Sequence, residues 1–293
     1  MTEIVKAYAK INLHLDICAK RTDGYHDVET VMQSVSLCDT VSVTPIEACE
    51  FTCECNADGV PTDDKNIAVR AAKLYAEKAG MRNGAHIAIE KNIPMAAGLA
   101  GGSTDAAATL IALNRINGSI LGEDKLCELA STLGADVPFC ISGGCSYSDG
   151  KGDVLHEFPQ IPADTVFVVA CGGEGVSTPW AYKLMDTSFN DFLDYKVKGT
   201  HNLHNVLLSA CPESFYKHIF NVFEGPVFEQ RPVAKEIKAV MINGGALNAM
   251  MSGSGPSVFG IFNDVATAQK VVDEIQSLGS FASVCYPVAR RKI

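Results

Sequence analysis

The feature that most constrains this chain is the stretch Pro94-Met95-Ala96-Ala97-Gly98-Leu99-Ala100-Gly101-Gly102-Ser103-Thr104-Asp105. Apolar alternation through His86, Ile87, Ala88 and Ile89 just before it predicts a strand, and residues 106–113 just after it predict a helix. A strand, a glycine-dense turn and a helix opening on Ser103 and Thr104 form a physical recipe for holding phosphate. The first helical turn leaves N–H groups without intrahelical partners, and the helix dipole puts positive potential there. Glycine lets the backbone bend and approach a ligand where a side chain would forbid it. No Gly-Lys-Ser/Thr follows, so the stretch is not a P-loop, and its spacing is not Gly-x-Gly-x-x-Gly. The competing explanation is an ordinary tight connection packed with small residues, so the rest of the chain has to decide.

A chain of 293 residues has room for one large or two ordinary domains. Its net charge of −10 argues against a general nucleic-acid binder, whose affinity rests on neutralising phosphates with basic residues. A local nucleotide site survives that argument, because a few N–H groups and one lysine suffice. Residues 1–6 contain no apolar signal segment and no run reaches membrane-spanning length, so no membrane partner is expected. Eleven cysteines without an export signal point to reduced thiols and a cytoplasmic protein. Cys49, Cys53 and Cys55 cluster, but in a strand-like segment with no second pair at finger spacing, so no protein-held metal is expected.

From the N-terminus, Val5, Ala7, Ala9, Ile11, Leu13, Leu15 and Ile17 alternate as in a strand. Lys10 and Asn12 share its other face, aimed at a polar ligand or exposed at a sheet edge. Arg21-Thr22-Asp23-Gly24-Tyr25-His26 reads as a turn. Its ring pair can stack on and hydrogen-bond a flat heterocycle, or simply close a hairpin. Residues 63–66 offer caps for a helix from Ile67. Residues 123–133 predict a helix ended by Gly134, with Asp136 just past it and Pro138 behind. The partial negative charge of a helix C-terminus would discourage ionisation there. A hairpin over 143–158 leads to a boundary at Pro159 and Pro162, and the apolar run 165–170 predicts a buried strand. Ser177, Thr178 and Pro179 open a helix through Tyr182 and Met185. A second glycine turn over 251–257 precedes a strand at 258–262, a helix at 265–277 and a closing strand at 283–288.

Taken together, these motifs resemble those of the GHMP small-molecule kinases. Residues 94–107 are similar to that family's Pro-x-x-x-Gly-Leu-x-Gly-Ser-Ser-x-Ala-Ala loop. Ser252-Gly253-Ser254-Gly255-Pro256-Ser257 resembles its C-terminal glycine motif, and Ala9-Lys10-Ile11-Asn12-Leu13 its first strand. Two narrower motifs, residues 21–26 and Leu133-Gly134-Ala135-Asp136-Val137-Pro138, resemble one branch of the family. That branch takes cytidine diphosphate methylerythritol as its second substrate, in isoprenoid precursor synthesis.

The resemblance implies an α+β fold of two domains, residues 1–160 and 161–293, with the active site in the cleft between them. It implies that Pro94, Met95, Ala96, Ala97, Gly98, Leu99, Ala100, Gly101, Gly102, Ser103 and Thr104 wrap the ATP phosphates, with Asn66 near the adenine. Lys10 and Asp136 would be the catalytic pair. Tyr25 and Tyr182 would sandwich the cytosine, His26 would read its polar edge, and Asn12 and Thr178 would hold the diphosphate or methylerythritol portion. Mg2+ would accompany ATP, with Ser103 or Thr104 the nearest protein oxygens. The alternatives are another GHMP kinase, acting on homoserine, mevalonate or a sugar, and a non-catalytic nucleotide-binding module. Ala96 and Ala100 stand where the family often has glycine, which implies a stiffer loop. Asn202 and His204 replace a common acidic stretch. Tyr182 replaces a frequent phenylalanine and keeps its stacking face.

Overall fold

The alternation at the N-terminus becomes β1 (Glu3–Lys20), and β2 (His26–Ile46) returns antiparallel to it in a computed structural model that describes residues 1–188 and 199–293. The turn between them closes with the Arg21 N–H donating to the Tyr25 carbonyl at 2.8 Å, and Gly24 takes φ +85° there. Residues 9–17 of β1 are all buried, so the polar side of the strand is interior and not a sheet edge.

Among the described residues the strands form two sheets. The first runs β3 (Phe51–Cys55), β4 (Gly84–Glu90), β2, β1 and β8 (Phe220–Asn221), with the hairpin of β5 (Cys145–Asp149) and β6 (Val154–Glu157) attached to β2. The second is antiparallel throughout, in the order β11 (Phe281–Cys285), β7 (Val166–Cys171), β10 (Val258–Phe262), β9 (Asn248–Met251). The short β8 belongs to the second half of the chain but pairs parallel with β1, His14 against Phe220 and Leu15 against Asn221.

Side-chain alternation sorts the core into layers. On β7, Val166, Val168 and Ala170 pack with α5 (Thr178–Ser188), α7 (Glu224–Gln230), α8 (Pro232–Asn243) and α9 (Val265–Ser277). Phe167 and Val169, on its other face, pack with Ala9, Ile11 and Leu13 of β1 and with Phe259 and Ile261 of β10. Each such large apolar side chain contributes about 1.5–3 kcal/mol when fully buried. On the far side of the first sheet, α1 (Ile67–Ala79), α2 (Gly101–Ile116), α3 (Glu123–Ser131) and α4 (Val137–Ser142) cover β2 and β4. Residues of α6 (Gly199–Leu207) join the middle layer through Leu203 and Leu207.

Two boundaries differ from the sequence reading. The helix after the glycine stretch starts at Gly101, five residues before the apolar run, because Ala100 turns the chain at φ +58°. The closing strand stops at Cys285. Residues beyond it leave the second sheet for the first, where Pro287 bridges Val35 and the Val288 N–H donates to the Ser34 carbonyl at 2.9 Å.

Candidate active site

A cleft of about 520 Å3 is lined by residues of both halves. Lys10, Asn12, Asn66, Asp136, Thr178, Tyr182 and every residue from Pro94 to Ser103 lie on its wall, whereas Thr104, Tyr25 and His26 do not.

The glycine-rich loop turns its carbonyls away from the helix that follows. The Val176 N–H donates to the Ala96 carbonyl at 3.1 Å, and the Ser257 N–H to Ala97 at 3.2 Å. The Ser252 hydroxyl donates to the Gly98 carbonyl at 3.2 Å, and the Lys10 N–H to Leu99 at 3.2 Å. Carbonyls 97, 98 and 99 are the acceptors that one more helical turn would have offered to the N–H groups of Gly101, Gly102 and Ser103. With those carbonyls engaged elsewhere, three amides at the start of α2 have no intrahelical acceptor, and their residues line the cleft at a helix end of the kind that suits an anion. Gly98 takes φ +77°, and a Cβ there would collide with the Ser252 carbonyl oxygen. A Cβ on Gly253 would stand 2.9 Å from the Gly98 carbonyl oxygen. The two glycine turns are therefore packed backbone to backbone. Ala96 and Ala100 hold φ +50° and +58°, a left-handed conformation that costs alanine about 1–2 kcal/mol.

Ser103 and Thr104 divide. The Thr104 side chain is buried, and its hydroxyl donates to the Tyr8 carbonyl of β1 at 2.8 Å. Of the two, only Ser103 lines the cleft. Asn66 is likewise committed: its Oδ1 caps α1 at the Ala68 N–H, 2.9 Å away, and its Nδ2 donates to the Pro61 carbonyl at 2.7 Å. It shapes one end of the cleft through the fold it anchors.

The Lys10 ammonium donates to Asn12 Oδ1 at 2.7 Å and stands 3.6 Å from Asp136 Oδ2. Donor accounting fixes this orientation. The Thr30 hydroxyl donates to the His14 carbonyl at 2.8 Å, so its oxygen accepts from Asn12 Nδ2, also at 2.8 Å, and Asn12 Oδ1 is left facing Lys10. The lysine side chain is 6% exposed and the aspartate 37%, so the pair has one buried and one accessible partner. Asp136 stands between two helices and not simply past one. It directly precedes α4, whose amino end is the nearer one, so the argument from the carboxyl end of α3 does not hold.

His26 stacks on Tyr182, with ring centroids 4.9 Å apart and an interplanar angle of 25°. Its Nε2 lies 2.9 Å from Asp186 Oδ1. Tyr182 also meets Phe223 edge-on at 5.0 Å. Burial, and then the Asp136 carboxylate, push the Tyr182 phenol up to about 12, so it stays a neutral donor. Tyr25 stands apart on its turn, 61% exposed, with Lys151 Nζ 5.0 Å from its ring centroid. Thr178 faces Ser254, oxygen to oxygen, at 3.5 Å.

The sequence reading missed a buried ionic cluster under the loop. Lys91 Nζ pairs with Asp39 and with Asp105 Oδ2, the latter at 2.7 Å, and Asp39 Oδ1 accepts the N–H groups of Asn92 and Ile93 at 2.6 and 2.8 Å. Burial alone would lower the Lys91 pKa, but the two carboxylates outweigh it; burial raises that of Asp105. Lys91 and Asp105 reach the cleft wall. The signal in the sequence is a charged residue just ahead of the proline that opens the loop. Its partners are far apart in the chain and meet only in the fold. Among the described residues no group of three His, Cys, Asp or Glu is placed to hold a metal ion, and no helix is long and apolar enough to cross a membrane.

Comparison with known proteins identifies the family. Residues 66–144 match the GHMP kinases N terminal domain, and residues 206–280 match the GHMP kinases C terminal domain. A 4-diphosphocytidyl-2-C-methyl-D-erythritol kinase of Caldicellulosiruptor saccharolyticus is 41% identical over 93% of this chain and 92% of its own length. One of Clostridium novyi is 38% identical over 93% of this chain and 95% of its own. A crystal structure of 4-(cytidine 5'-diphospho)-2C-methyl-D-erythritol kinase superposes with a TM-score of 0.79 at 31% identity, covering 97% of this chain and 99% of that one. Homoserine kinase from Cytophaga hutchinsonii superposes at 0.77 with 18% identity, a likeness of fold alone. The chain belongs to the GHMP kinases, in the 4-diphosphocytidyl-2-C-methyl-D-erythritol kinase family.

Proposed function

We propose that the chain transfers the γ-phosphoryl group of ATP to the 2-hydroxyl of 4-diphosphocytidyl-2-C-methyl-D-erythritol, in the non-mevalonate route to isoprenoid precursors. The observation that carries this reading is the Lys10–Asp136 pair, 3.6 Å apart, on the wall of the cleft that also exposes the start of α2. Phosphoryl transfer asks the protein for positioning and charge stabilisation. The acceptor is a hindered tertiary alcohol, and holding it in line with the γ-phosphate supplies up to about 7–11 kcal/mol in the best cases. Its oxygen bonds to the γ-phosphorus as the bond to the bridging oxygen breaks, ADP leaves, and the proton passes to Asp136. Lys10 orients that carboxylate and offsets charge on the moving group.

The amides of Gly101, Gly102 and Ser103 bind the phosphates. The absence of a protein metal cage among the described residues suits Mg2+ that arrives on the nucleotide, which needs only one or two protein oxygens. The Ser103 hydroxyl would be its protein contact, and the ion would supply positive charge against the phosphates. Tyr182 and Tyr25 take the cytosine, with His26 at its edge and Thr178 toward the diphosphate. Residues 1–160 and 161–293 are proposed as the two domains. The eleven cysteines are all free, which fits a reducing cytoplasm.

The test is ADP release coupled to a reporter, with the cytidine substrate run against homoserine and mevalonate. Turnover is expected with the first alone; turnover on either alternative, or on none, rejects the assignment. In the same assay Asp136→Asn is expected to lower kcat by about 10²–10⁴ while ATP still binds, as acid–base steps typically contribute. Turnover like that of the unmodified protein would remove Asp136 as base.

A further inference from the structure

Asn221 ends the short β8 alongside Leu15 of β1, and it is buried. Both ends of its amide are engaged. Nδ2 donates to the carbonyls of Met251 and Gly253, at 2.7 and 2.9 Å, and Oδ1 accepts the Phe223 N–H at 2.9 Å. Two carbonyls need donors and one N–H needs an acceptor, so a single orientation of the amide satisfies all three. Met251 closes β9, the edge of the second sheet, where no further strand supplies partners among the described residues. Its outward N–H donates to Glu224 Oε2 at 2.9 Å, and its carbonyl goes to Asn221. Side chains thus do there what a neighbouring strand would do.

The two ends of the amide lead to different parts of the cleft. Met251 and Gly253 flank Ser252, whose hydroxyl accepts the Asn12 N–H at 3.3 Å and donates to the Gly98 carbonyl at 3.2 Å. From the same turn the Ser257 N–H reaches the Ala97 carbonyl. The nitrogen end therefore braces the glycine-rich loop from behind. The oxygen end holds the backbone of Phe223, which lines the cleft and meets Tyr182 edge-on at 5.0 Å. Asn221 does not itself line the cleft.

We infer that Asn221 is a positioning residue that keeps the nucleotide end and the base end of the cleft in fixed relation, through its nitrogen to the loop and through its oxygen to Phe223. The inference rests on the proposed seats of ATP at the start of α2 and of the cytosine beside Tyr182.

Two variants separate the ends. Asn221→Asp keeps the shape and the oxygen toward Phe223, and sets an acceptor against two carbonyls. Its KM for ATP is expected to rise about tenfold, the effect of hydrogen bonds lost in a buried site, and its KM for the cytidine substrate no more than about threefold. Asn221→Leu loses both ends, and both KM values should rise about tenfold. Val271→Ala, a core position on α9, controls for weakening the same half of the molecule and should leave both within about twofold. Amide hydrogen exchange of the ligand-free proteins, read against that control, should be faster at Ser257 in both Asn221 variants and at Phe223 in Asn221→Leu alone. Equal changes of the two KM values in Asn221→Asp, effects matched by Val271→Ala, or unaltered exchange at Ser257 would overturn the inference. Should Asn221→Leu not fold, the two KM values and the Ser257 exchange of Asn221→Asp still decide it. If the unmodified chain turns over no cytidine substrate, the proposed function fails, and the exchange data alone decide whether Asn221 ties the turn to the loop.

Discussion

His14 lies in the middle of β1 with no exposed surface, and neither ring nitrogen has a hydrogen-bond partner among the described residues. Its nearest ring neighbour is Phe220, tilted at 5.6 Å. Burial alone lowers its pKa from 6.5 to about 4, so the fold holds it neutral. The unfolded chain binds the proton near 6.5, whereas the folded chain does not until about 4. The titration therefore takes nothing from stability above 6.5 and withdraws it as the pH falls through that window. The loss amounts to roughly 3 kcal/mol by pH 4. His14→Phe keeps a ring against Phe220 and removes the titration. Urea unfolding at pH 7 and at pH 4 should show the parent losing roughly 3 kcal/mol more than the variant. Parallel losses would mean that the imidazole is already charged, or already partnered, in the fold.

At the scale of elements, two turns that lie 155 residues apart in the chain behave as one, since Gly98 of the first and Gly253 of the second touch through their backbones. Gly98→Ala would need both a left-handed alanine and space that the Ser252 carbonyl occupies. It is expected to cost on the order of 2–4 kcal/mol, and to raise the KM for ATP because the start of α2 shifts with the loop. Ala100→Gly, at φ +58°, should not destabilise, because the strain it relieves offsets the added freedom of the unfolded chain. Denaturant titration of the two variants separates these outcomes; equal losses would mean that the contact between the turns carries no weight.

Much of this element was legible beforehand. Glycine density, the helix after it and the lysine–amide pair on β1 are local patterns, and local patterns survive in sequence. The left-handed alanines were not legible, because alanine gives no sign of φ. Nor was the engagement of Asn66 and Thr104, whose polar ends are satisfied by Pro61 and Tyr8 across the fold. Asp136 was found but given the wrong helix end, since α4 is only six residues long and too short to show a periodic pattern.

Across the whole molecule the two halves are joined by more than their shared middle layer. After β11 the chain crosses to the first sheet, where the Tyr286 carbonyl accepts from the Ser36 N–H at 2.8 Å and the Val288 N–H donates to Ser34 at 2.9 Å. The Arg291 N–H then donates to the carbonyl of Ser142, the last residue of α4, at 2.8 Å. Its guanidinium lies 5.3 Å from the Tyr8 ring centroid and donates to the Lys6 carbonyl, both on the strand that carries Lys10. One short tail thus touches the helix that follows Asp136 and the strand that presents Lys10, and ties both to the second sheet. Removing residues 286–293 should cost on the order of 2–4 kcal/mol, because several hydrogen bonds at about 1 kcal/mol each outweigh the entropy regained by an already extended segment. If the tail sets the spacing of Lys10 and Asp136, kcat should fall more than the KM for either substrate rises, with enough protein still folded to measure at low temperature. Arg291→Ala should show the same pattern at smaller size, because it loses the side-chain contacts to β1 and keeps the backbone bond to α4. A truncated chain with unaltered kcat and unaltered urea midpoint would leave the cleft held by the shared core alone.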